Sequence, residues 1–255
     1  MKRSLIVILL FSMFIRICSA QDLWKQQRLE VFGGLGTTQF FGDVGGFSPG
    51  SNIIGLKDIS FSQTRINISA GAKYRILKDL NVRLNLAYGM LHATDNRGSN
   101  ESRGFDAKTS IFEPTILAEY YFIKSKLGDS YLFNQGRNGG GSLFSTLEFY
   151  FFTGAGGLMY NVKENDKLAA MGQKKGGFTA VIPVGLGVNL LFKPEFNLGL
   201  ELGGRYSFSD YLDGYTSQHS RSNDVYYFLN VTFTYKLRTN SQGMPLFLAG
   251  GKRKF

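Results

Sequence analysis

The chain has 255 residues, one cysteine, and a formal net charge of +10 from 29 Lys and Arg against 19 Asp and Glu. One cysteine excludes a disulfide framework and a cysteine-based metal site. Its 32 glycines, 23 phenylalanines and 13 tyrosines, with only 5 prolines, favour a strand-rich fold.

The first twenty residues have the layout of a secretory signal peptide. Two basic residues precede a mostly apolar core over residues 5–15, and small residues stand just before Gln21. A membrane-anchoring helix fits less well, because this core is shorter than the roughly 20 apolar residues that span a bilayer. A lipoprotein signal also fits less well, because Arg16 and Ile17 precede Cys18, where a small, uncharged residue is needed. We predict cleavage before Gln21.

Export changes what the basic charge indicates. A basic chain often binds nucleic acid, but an exported chain seldom meets it. We therefore expect outer-membrane lipid, with its anionic headgroups and lipopolysaccharide, or an acidic protein as partner. We expect no nucleic acid, no small-molecule substrate and no cofactor.

Segments of alternating apolar and polar residues follow the signal in chain order, and each is typical of a strand with two different faces. Pro114, in the fourth of them, indicates a bulge or a local break because proline cannot donate to the ladder. The predicted strands are 28–41, 63–77, 80–92, 105–123, 143–162 and 178–192, with two more inside 197–237.

The last two strands show the pattern most clearly. Leu198, Leu200 and Leu202 fall on one face of the first, whereas Glu201 and Arg205 fall on the other. One face favours hydrocarbon and the other favours water or charge partners. This is the pattern of a transmembrane β-barrel with lipid outside and a polar lumen inside.

The sequence thus predicts an all-β, transmembrane, antiparallel up-and-down β-barrel with eight strands. Its domains are a signal peptide (1–20), the barrel (21–238) and a periplasmic tail (239–255). Long loops alternate with tight turns, except for the longer connection at 124–142. Eight strands leave a lumen that side chains fill, so we expect no channel. A soluble lipocalin-like barrel fits less well, because the polar face carries charges that an apolar ligand cavity would not accept.

Charges on the polar face are expected to pair across the lumen and fill it, although a proton or ion relay through Glu201 and Arg205 is the alternative. The predicted lumen network consists of Arg65, Arg75, Arg83, Glu119, Glu148, Glu201 and Arg205.

Several stretches resemble a known family. They are Gly199-Leu200-Glu201-Leu202-Gly203-Gly204-Arg205-Tyr206-Ser207-Phe208-Ser209-Asp210-Tyr211-Leu212-Asp213, the preceding Ile182-Pro183-Val184-Gly185-Leu186-Gly187-Val188, the closing 223–235, and Phe40-Phe41-Gly42-Asp43 near the start. In this order they resemble the PorG-like outer-membrane β-barrel family of the Bacteroidota type IX secretion system. The sequence departs from the family at Ser209, which replaces the usual Thr, at Gly214, and in the longer 124–142 segment.

The resemblance implies an integral outer-membrane protein that anchors or positions the periplasmic PorK/PorN-type ring of the secretion machine. An even-stranded barrel that starts in the periplasm also ends there, so both termini are expected in that compartment. Candidate partner-binding residues on that side are Tyr131, Leu132 and Phe133 in the long connection, and Leu246, Phe247, Leu248, Lys252, Arg253 and Lys254 in the tail. A solvated, disordered tail is the alternative.

Catalysis and metal binding are not expected. Asp210, Asp213 and Asp224 could bind calcium, but their spacing lacks the ligand order of a calcium loop, so we expect Asp210 and Asp213 to cap backbone N–H groups instead. His219 and Ser220 invite comparison with lipid-A-modifying barrel enzymes, but they lie in a polar loop without an evident orienting group. An outer-membrane barrel of another, structural role stays open as the alternative to secretion. The aromatic residues near strand ends are expected to form interfacial girdles; they include Tyr120, Tyr206, Phe208, Tyr226 and Tyr235.

Overall fold

A computed structural model describes residues 28–45, 59–96, 100–124, 146–193, 195–216 and 223–238. Each strand pairs antiparallel with the next, and the last pairs with the first, so that the sheet closes into a barrel. The strands are β1 (Leu29–Phe41), β2 (Arg65–Leu77), β3 (Leu80–Thr94), β4 (Asp106–Ile123), β5 (Leu147–Glu164), β6 (Gly176–Lys193), β7 (Phe196–Ser207) and β8 (Val225–Leu237), with one short helix, α1 (Asp166–Ala169), between β5 and β6.

The predicted eight-stranded antiparallel barrel is confirmed. Strand ends differ by a few residues, since β3 continues to Thr94 and β5 to Glu164. The loop between the predicted fifth and sixth strands contains α1, which starts where the Asn165 side chain accepts a hydrogen bond from the Leu168 N–H at 3.0 Å. The predicted signal peptide and C-terminal tail lie outside the described residues.

Pro114 interrupts the sheet without shifting its register. Phe112 lies opposite Met159 and Thr115 lies opposite Gly156, so the β4–β5 alignment is the same on both sides of the proline. Within the described pairing, Pro114 itself has no partner on β5. The position is therefore a local break and not a bulge.

The outer surface of the barrel is apolar. Large hydrophobic side chains alternate outward along every strand, among them Leu84, Ile116, Leu186 and Leu200. None of the helices among the described residues is long and apolar enough to cross a membrane. An uninterrupted apolar wall on a closed barrel is the surface that strands present to hydrocarbon.

The inside of the barrel has two zones. The "turn end" is where β1 begins and β8 ends, and the "loop end" is where β1 ends and β2 begins. The half of the lumen near the turn end is lined by buried polar and charged residues, including Lys73, Arg83 and Glu119. The half near the loop end is lined by a buried apolar cluster that includes Leu91, Leu158 and Phe228.

Candidate functional site

A four-charge ion cluster crosses the turn-end half of the lumen. Arg83 Nη1 on β3 lies 2.9 Å from Glu119 Oε1 on β4 and 2.6 Å from Glu201 Oε1 on β7. Lys73 Nζ on β2 lies 3.0 Å from Glu119 Oε1 and 3.9 Å from Glu201 Oε1. All four side chains are at most 4% exposed. Two cations and two anions balance one another here, as buried charges must.

Aromatic rings enclose this ion cluster. The Arg83 guanidinium lies 5.2 Å from the ring centres of both Phe32 and Phe152. Lys73 Nζ lies 5.3 Å from the Phe32 ring and 5.4 Å from the Tyr150 ring. The Tyr150 hydroxyl donates a 2.5 Å hydrogen bond to Glu201 Oε1. Cation–π contacts and a hydrogen bond thus add to the ion pairs and leave no open bore at this level.

Glycines make room for those rings. A Cβ added at Gly187 would lie 2.2 Å from the Tyr150 ring, and one at Gly203 would lie 2.7 Å from the Phe152 ring. The abundance of glycine on the inward face of β6 and β7 is therefore a packing requirement of the filled lumen. It does not create an open passage.

A second buried pair lies nearer the loop end. Arg205 Nε is 3.7 Å from Glu113 Oε1, and the Tyr226 hydroxyl donates a 2.6 Å hydrogen bond to Glu113 Oε2. Arg205 also lies 4.1 Å from the centre of the Phe228 ring. The prediction that Tyr226 belongs to an interfacial girdle is wrong, because its side chain is 0% exposed and points into the lumen.

The structure separates the predicted lumen residues into groups. Arg83, Glu119 and Glu201 meet in the ion cluster, whereas Arg205 forms the pair just described. Arg75 pairs with Glu30 at 3.0 Å near the turn end.

The remaining two predicted lumen residues lie apart from these groups. Arg65 is at the loop end, where its Nη2 lies 2.6 Å from His92 Nδ1 and its Nη1 donates to the Ser62 carbonyl oxygen. Glu148 lies near the start of β5 and makes no ion pair within the described part of the chain.

Three charged partners in these groups were absent from the predicted network: Glu30, Lys73 and Glu113. Alternation contained the signal for two of them, because Lys73 and Glu113 have the same strand parity as the inward residues that were chosen. Glu30 lies in a glycine-rich strand whose alternation is weak, so its direction was not evident.

A loop closes the other end of the lumen. Leu212, in the β7–β8 loop, is fully buried within the apolar cluster of the loop-end half. Its carbonyl oxygen accepts a 2.5 Å hydrogen bond from the Thr109 hydroxyl, and its N–H donates a 2.8 Å bond to Asp224 Oδ2. We call residues 208–216 of this loop, which include Leu212, the "loop cap".

Asp213 joins the loop cap to the β1–β2 loop. Its carboxylate accepts hydrogen bonds from the backbone N–H groups of Val44 (2.9 Å) and Tyr215 (3.0 Å). Burial raises the pKa of Asp213 to about 7, and the nearby charges of Asp43 and Asp210 add to this rise. Gly214 follows with φ +77°, a backbone conformation that favours glycine.

Asp224, directly before β8, is a second buried acid that contacts the loop cap. Burial and the charge of Asp213 raise the pKa of Asp224 well above its ordinary value. Asp210 bonds to the Thr216 hydroxyl. Among the described residues, no group of three or more His, Cys, Asp or Glu is arranged to hold a metal ion. These acids bind backbone and side-chain groups of the β7–β8 loop, and Asp213 also binds the backbone of the β1–β2 loop.

Asp95 organises the neighbouring loops. It accepts hydrogen bonds from the backbone N–H groups of Gly45 (2.9 Å) and Phe105 (3.2 Å), and Arg103 Nη2 lies 3.0 Å from its Oδ1. The Arg103 guanidinium lies 5.1 Å from the Phe105 ring and 5.2 Å from the Tyr215 ring. Three loops thus meet over the lumen. Among the residues of this arrangement, only Asp210, Asp213 and Asp224 were candidate ligands from the sequence.

The other predicted site residues lie outside the described residues. They are His219 and Ser220 in the β7–β8 loop, Tyr131, Leu132 and Phe133 in the long connection, and Leu246, Phe247, Leu248, Lys252, Arg253 and Lys254 in the tail.

A closed eight-stranded barrel with an apolar wall and a filled lumen defines the class of small β-barrel membrane proteins. The chain belongs to the family described as Domain of unknown function (DUF6089), whose model matches residues 2–242. No curated protein matches the chain.

Several solved β-barrel structures are similar to this chain. Neisserial surface protein A is 12% identical with a TM-score of 0.47, and 82% of this chain and 97% of that chain are covered. The attachment invasion locus protein Ail of Yersinia pestis is 11% identical with a TM-score of 0.44, over 83% and 99%. A major outer membrane protein of Thermus thermophilus is 12% identical with a TM-score of 0.43, over 82% and 99%. These similarities concern the fold alone.

Proposed function

We propose that the protein is an integral outer-membrane barrel that anchors periplasmic partners as a component of the type IX secretion system. The apolar wall supports the membrane location, since these side chains would otherwise expose a continuous apolar surface to water. With long loops outside, as in bacterial barrels of this kind, both termini lie in the periplasm.

The filled lumen is the observation that supports an anchoring role over transport through the barrel. The ion cluster around Arg83 blocks the turn-end half, and Leu212 with its apolar neighbours blocks the loop-end half. Opening this path would expose buried charges in one half and buried apolar surface in the other. The protein therefore acts by its position, with no reaction of its own.

Electrical recording tests the closed barrel directly. The purified protein in a planar lipid bilayer should show no steady ion conductance, because both halves of the lumen are filled. The triple variant Phe32→Ala, Tyr150→Ala and Phe152→Ala removes three aromatic rings from the lumen. It is the positive control for the detection of ion conductance. Steady conductance by the wild-type protein would contradict the proposal.

The role in secretion is supported by the resemblance of the β6–β8 region to PorG-like barrels. Crosslinking in native outer membranes, followed by purification of the barrel, should recover PorK/PorN-type ring proteins. Deletion of 239–255 should reduce this recovery if the tail binds the ring. Replacement of Lys252, Arg253 and Lys254 by Gln keeps the tail at full length and so separates the effect of charge from that of length. Unchanged recovery after the deletion would reject the tail as the contact.

Recovery of no ring protein from the wild-type barrel would reject the role in secretion and favour an outer-membrane barrel of another role. The enzymatic alternative is tested separately. His219→Ala with Ser220→Ala should leave lipid A unchanged in mass spectra, whereas loss of a modification would favour a lipid-A-modifying enzyme.

A further inference from the structure

The two ends of the barrel differ in charge. The turn end comprises residues 28–31, 75–82, 121–124, 146–149, 191–193, 195–198 and 235–238. Its cations are Arg28, Arg75, Lys78, Lys124, Lys193, Lys236 and Arg238, and its acids are Glu30, Asp79, Glu148 and Glu195. At the loop end, the described Asp and Glu are no fewer than the Lys and Arg. An excess of positive charge is therefore a property of the turn end.

Ion pairs within the turn end use up most of its acids. The pairs are Glu30 with Arg75 at 3.0 Å, Asp79 with Lys124 at 3.6 Å, and Glu195 with Arg238 at 3.1 Å. Among the acids of this end, Glu148 alone forms no ion pair with a described residue. The internal pairs therefore leave positive charge over.

Three lysines of the turn end form no ion pair with any residue in the described ranges, and we call them the "turn-end lysines". Lys78 in the β2–β3 turn and Lys193 at the β6–β7 turn are exposed. Lys236 lies on the lumen face of β8 and is only 7% exposed. It lies opposite Glu30 on β1, but that carboxylate is held by Arg75. A buried ammonium group without a counter-ion is costly, so a carboxylate that entered the lumen here would stabilise Lys236.

The positions of the turn-end lysines restrict how a ligand can reach them. The β2–β3 and β6–β7 turns lie on opposite sides of the barrel, because four strands separate them in each direction around the ring. Lys236 lies inside that ring. A lipid beside the outer wall can approach Lys78 or Lys193, but the wall separates it from Lys236. A ligand that contacts all three lysines must therefore approach along the barrel axis and cover the opening of the lumen.

We propose that the turn-end lysines form a docking surface for an acidic face of a periplasmic protein, one carboxylate of which pairs with Lys236. The inference rests on the proposed function, in which the turn end faces the periplasm and a ring protein binds there. Complementary charge of this kind speeds association and orients the partner, and it weakens as the ionic strength rises.

A peptide of eight glutamates with a fluorescent label is the probe. Its extended length of roughly 27 Å allows it to cross the opening of an eight-stranded barrel. Each barrel is placed in nanodiscs of neutral phosphatidylcholine at about 20 mM salt, where screening is weak, and binding is measured by fluorescence anisotropy. The same peptide with Gln in place of Glu shows how much of the binding depends on carboxylates.

Two triple variants of equal charge change are compared. The first replaces the turn-end lysines by Gln. The matched control replaces Lys108, Lys163 and Lys167 by Gln, which are exposed lysines of the loop end. We expect the first variant to bind the acidic peptide roughly tenfold more weakly than wild type and the control to bind it as wild type does.

Single substitutions test the buried lysine. Lys236→Gln should weaken binding, whereas Lys236→Arg, which keeps the charge, should restore it. Gel mobility without boiling checks that each barrel is folded. If the triple variant does not fold, the double variant Lys78→Gln with Lys193→Gln tests the exposed part of the surface in the same assay, with Lys108→Gln and Lys163→Gln as its control.

Three results would overturn the inference. Equal losses in the turn-end and loop-end variants would show that general charge attraction explains binding. Equal binding of the Gln peptide would show that carboxylates are not recognised. Displacement of the acidic peptide by phosphatidylglycerol in the nanodisc would show that lipid headgroups are the ligand.

Crosslinking in native outer membranes separates failure of this inference from failure of the proposed function. Recovery of ring proteins that the turn-end triple variant leaves unchanged would reject the docking surface and leave the anchoring role standing. Recovery of no ring protein from the wild-type barrel would reject the role in secretion, while the peptide measurement would still decide whether the turn end binds carboxylates.

Discussion

The two halves of the lumen are filled by different means, although the same eight strands line both. Near the turn end, charged side chains from β2, β3, β4 and β7 pair with one another across the bore. Near the loop end, apolar side chains line the wall and Leu212 enters from a loop. The charged half is therefore completed by the strands alone, whereas the apolar half depends on a segment that is distant from its partner Thr109 in sequence.

Removal of a charge from the turn-end half should have the largest effect on stability. Arg83→Met would leave Glu119 and Glu201 with Lys73 as the one cation of the ion cluster, and so one buried carboxylate would lack a partner there. We expect a loss of about 3–5 kcal/mol in the free energy of unfolding. Denaturant titration of the barrel in lipid vesicles, followed by circular dichroism and by gel mobility without boiling, measures it.

A double variant separates charge balance from lost packing. Arg83→Met combined with Glu201→Gln leaves one cation and one anion, Lys73 and Glu119, which lie 3.0 Å apart. The double variant should be more stable than Arg83→Met alone, because the unpaired buried charge is gone. If the double variant lost as much unfolding free energy as the two single variants together, charge balance would not stabilise this half.

Truncation of Leu212 should have the next largest effect, and this effect should be confined to the loop end. Leu212→Ala would leave a cavity among fully buried side chains, which destabilises the local closed state by about 2–4 kcal/mol. Limited proteolysis should cleave 208–216 faster, while the gel mobility of the unboiled barrel stays unchanged. Phe208→Ala, on an exposed side chain of the same loop, is the control and should be cleaved at the wild-type rate. Simultaneous loss of barrel mobility in Leu212→Ala would show that the two halves unfold together.

A methyl group added to an inward glycine should disturb the turn-end half less than the loss of a charge does. Gly187→Ala would place a methyl group 2.2 Å from the Tyr150 ring and push its hydroxyl away from Glu201. We expect a loss of about 1–3 kcal/mol in unfolding free energy. Gly33→Ala is the matched control, since a Cβ there meets nothing within 4 Å. Equal stability of the two variants would contradict the tight fit around Tyr150.

The sequence predicts more of the charged half of the lumen than of the apolar half, for a physical reason. Alternation assigns each strand residue to the wall or the lumen, so the strand parity of Arg83, Glu119 and Glu201 is enough to place them inside. Alternation cannot say which inward residues lie at the same height, because that depends on the register between strands. Arg65 and Glu148 were grouped with the others for this reason, although they lie near opposite ends of the barrel.

The loop cap shows a second limit of sequence reasoning. A loop has no periodicity, and Leu212 looks like an ordinary apolar residue between two polar neighbours. Its burial depends on contacts with Thr109 and Asp224, and only the folded chain brings these partners together. Capping by Asp213 was expected from the turn chemistry of aspartate, but its partner Val44, far away in the sequence, was not.

The smallest expected effect is a pH dependence that is confined to the loop end. The pKa of Asp213 in the folded loop cap is raised from 3.8 to about 7, first by burial and then by the charges of Asp43 and Asp210. Between these two pH values the folded loop cap binds more protons than the opened one. Its stability is therefore greatest at low pH, falls as the pH rises through this window, and levels off above it. The raised pKa of Asp224 acts in the same direction.

Hydrogen exchange measured by mass spectrometry can localise this effect. After correction for the intrinsic exchange rate, protection of 208–216 should be higher at about pH 5 than at about pH 8, while protection of β7 stays constant. Asp213→Asn should weaken the dependence, because the amide carries no charge at either pH and retains one acceptor for the N–H groups of Val44 and Tyr215. If β7 followed the same pH profile, or if Asp213→Asn left the profile of 208–216 unchanged, the buried acids would not control the loop cap. An unchanged β7 would instead show that the loop-end closure responds to protons independently of the ion-paired half.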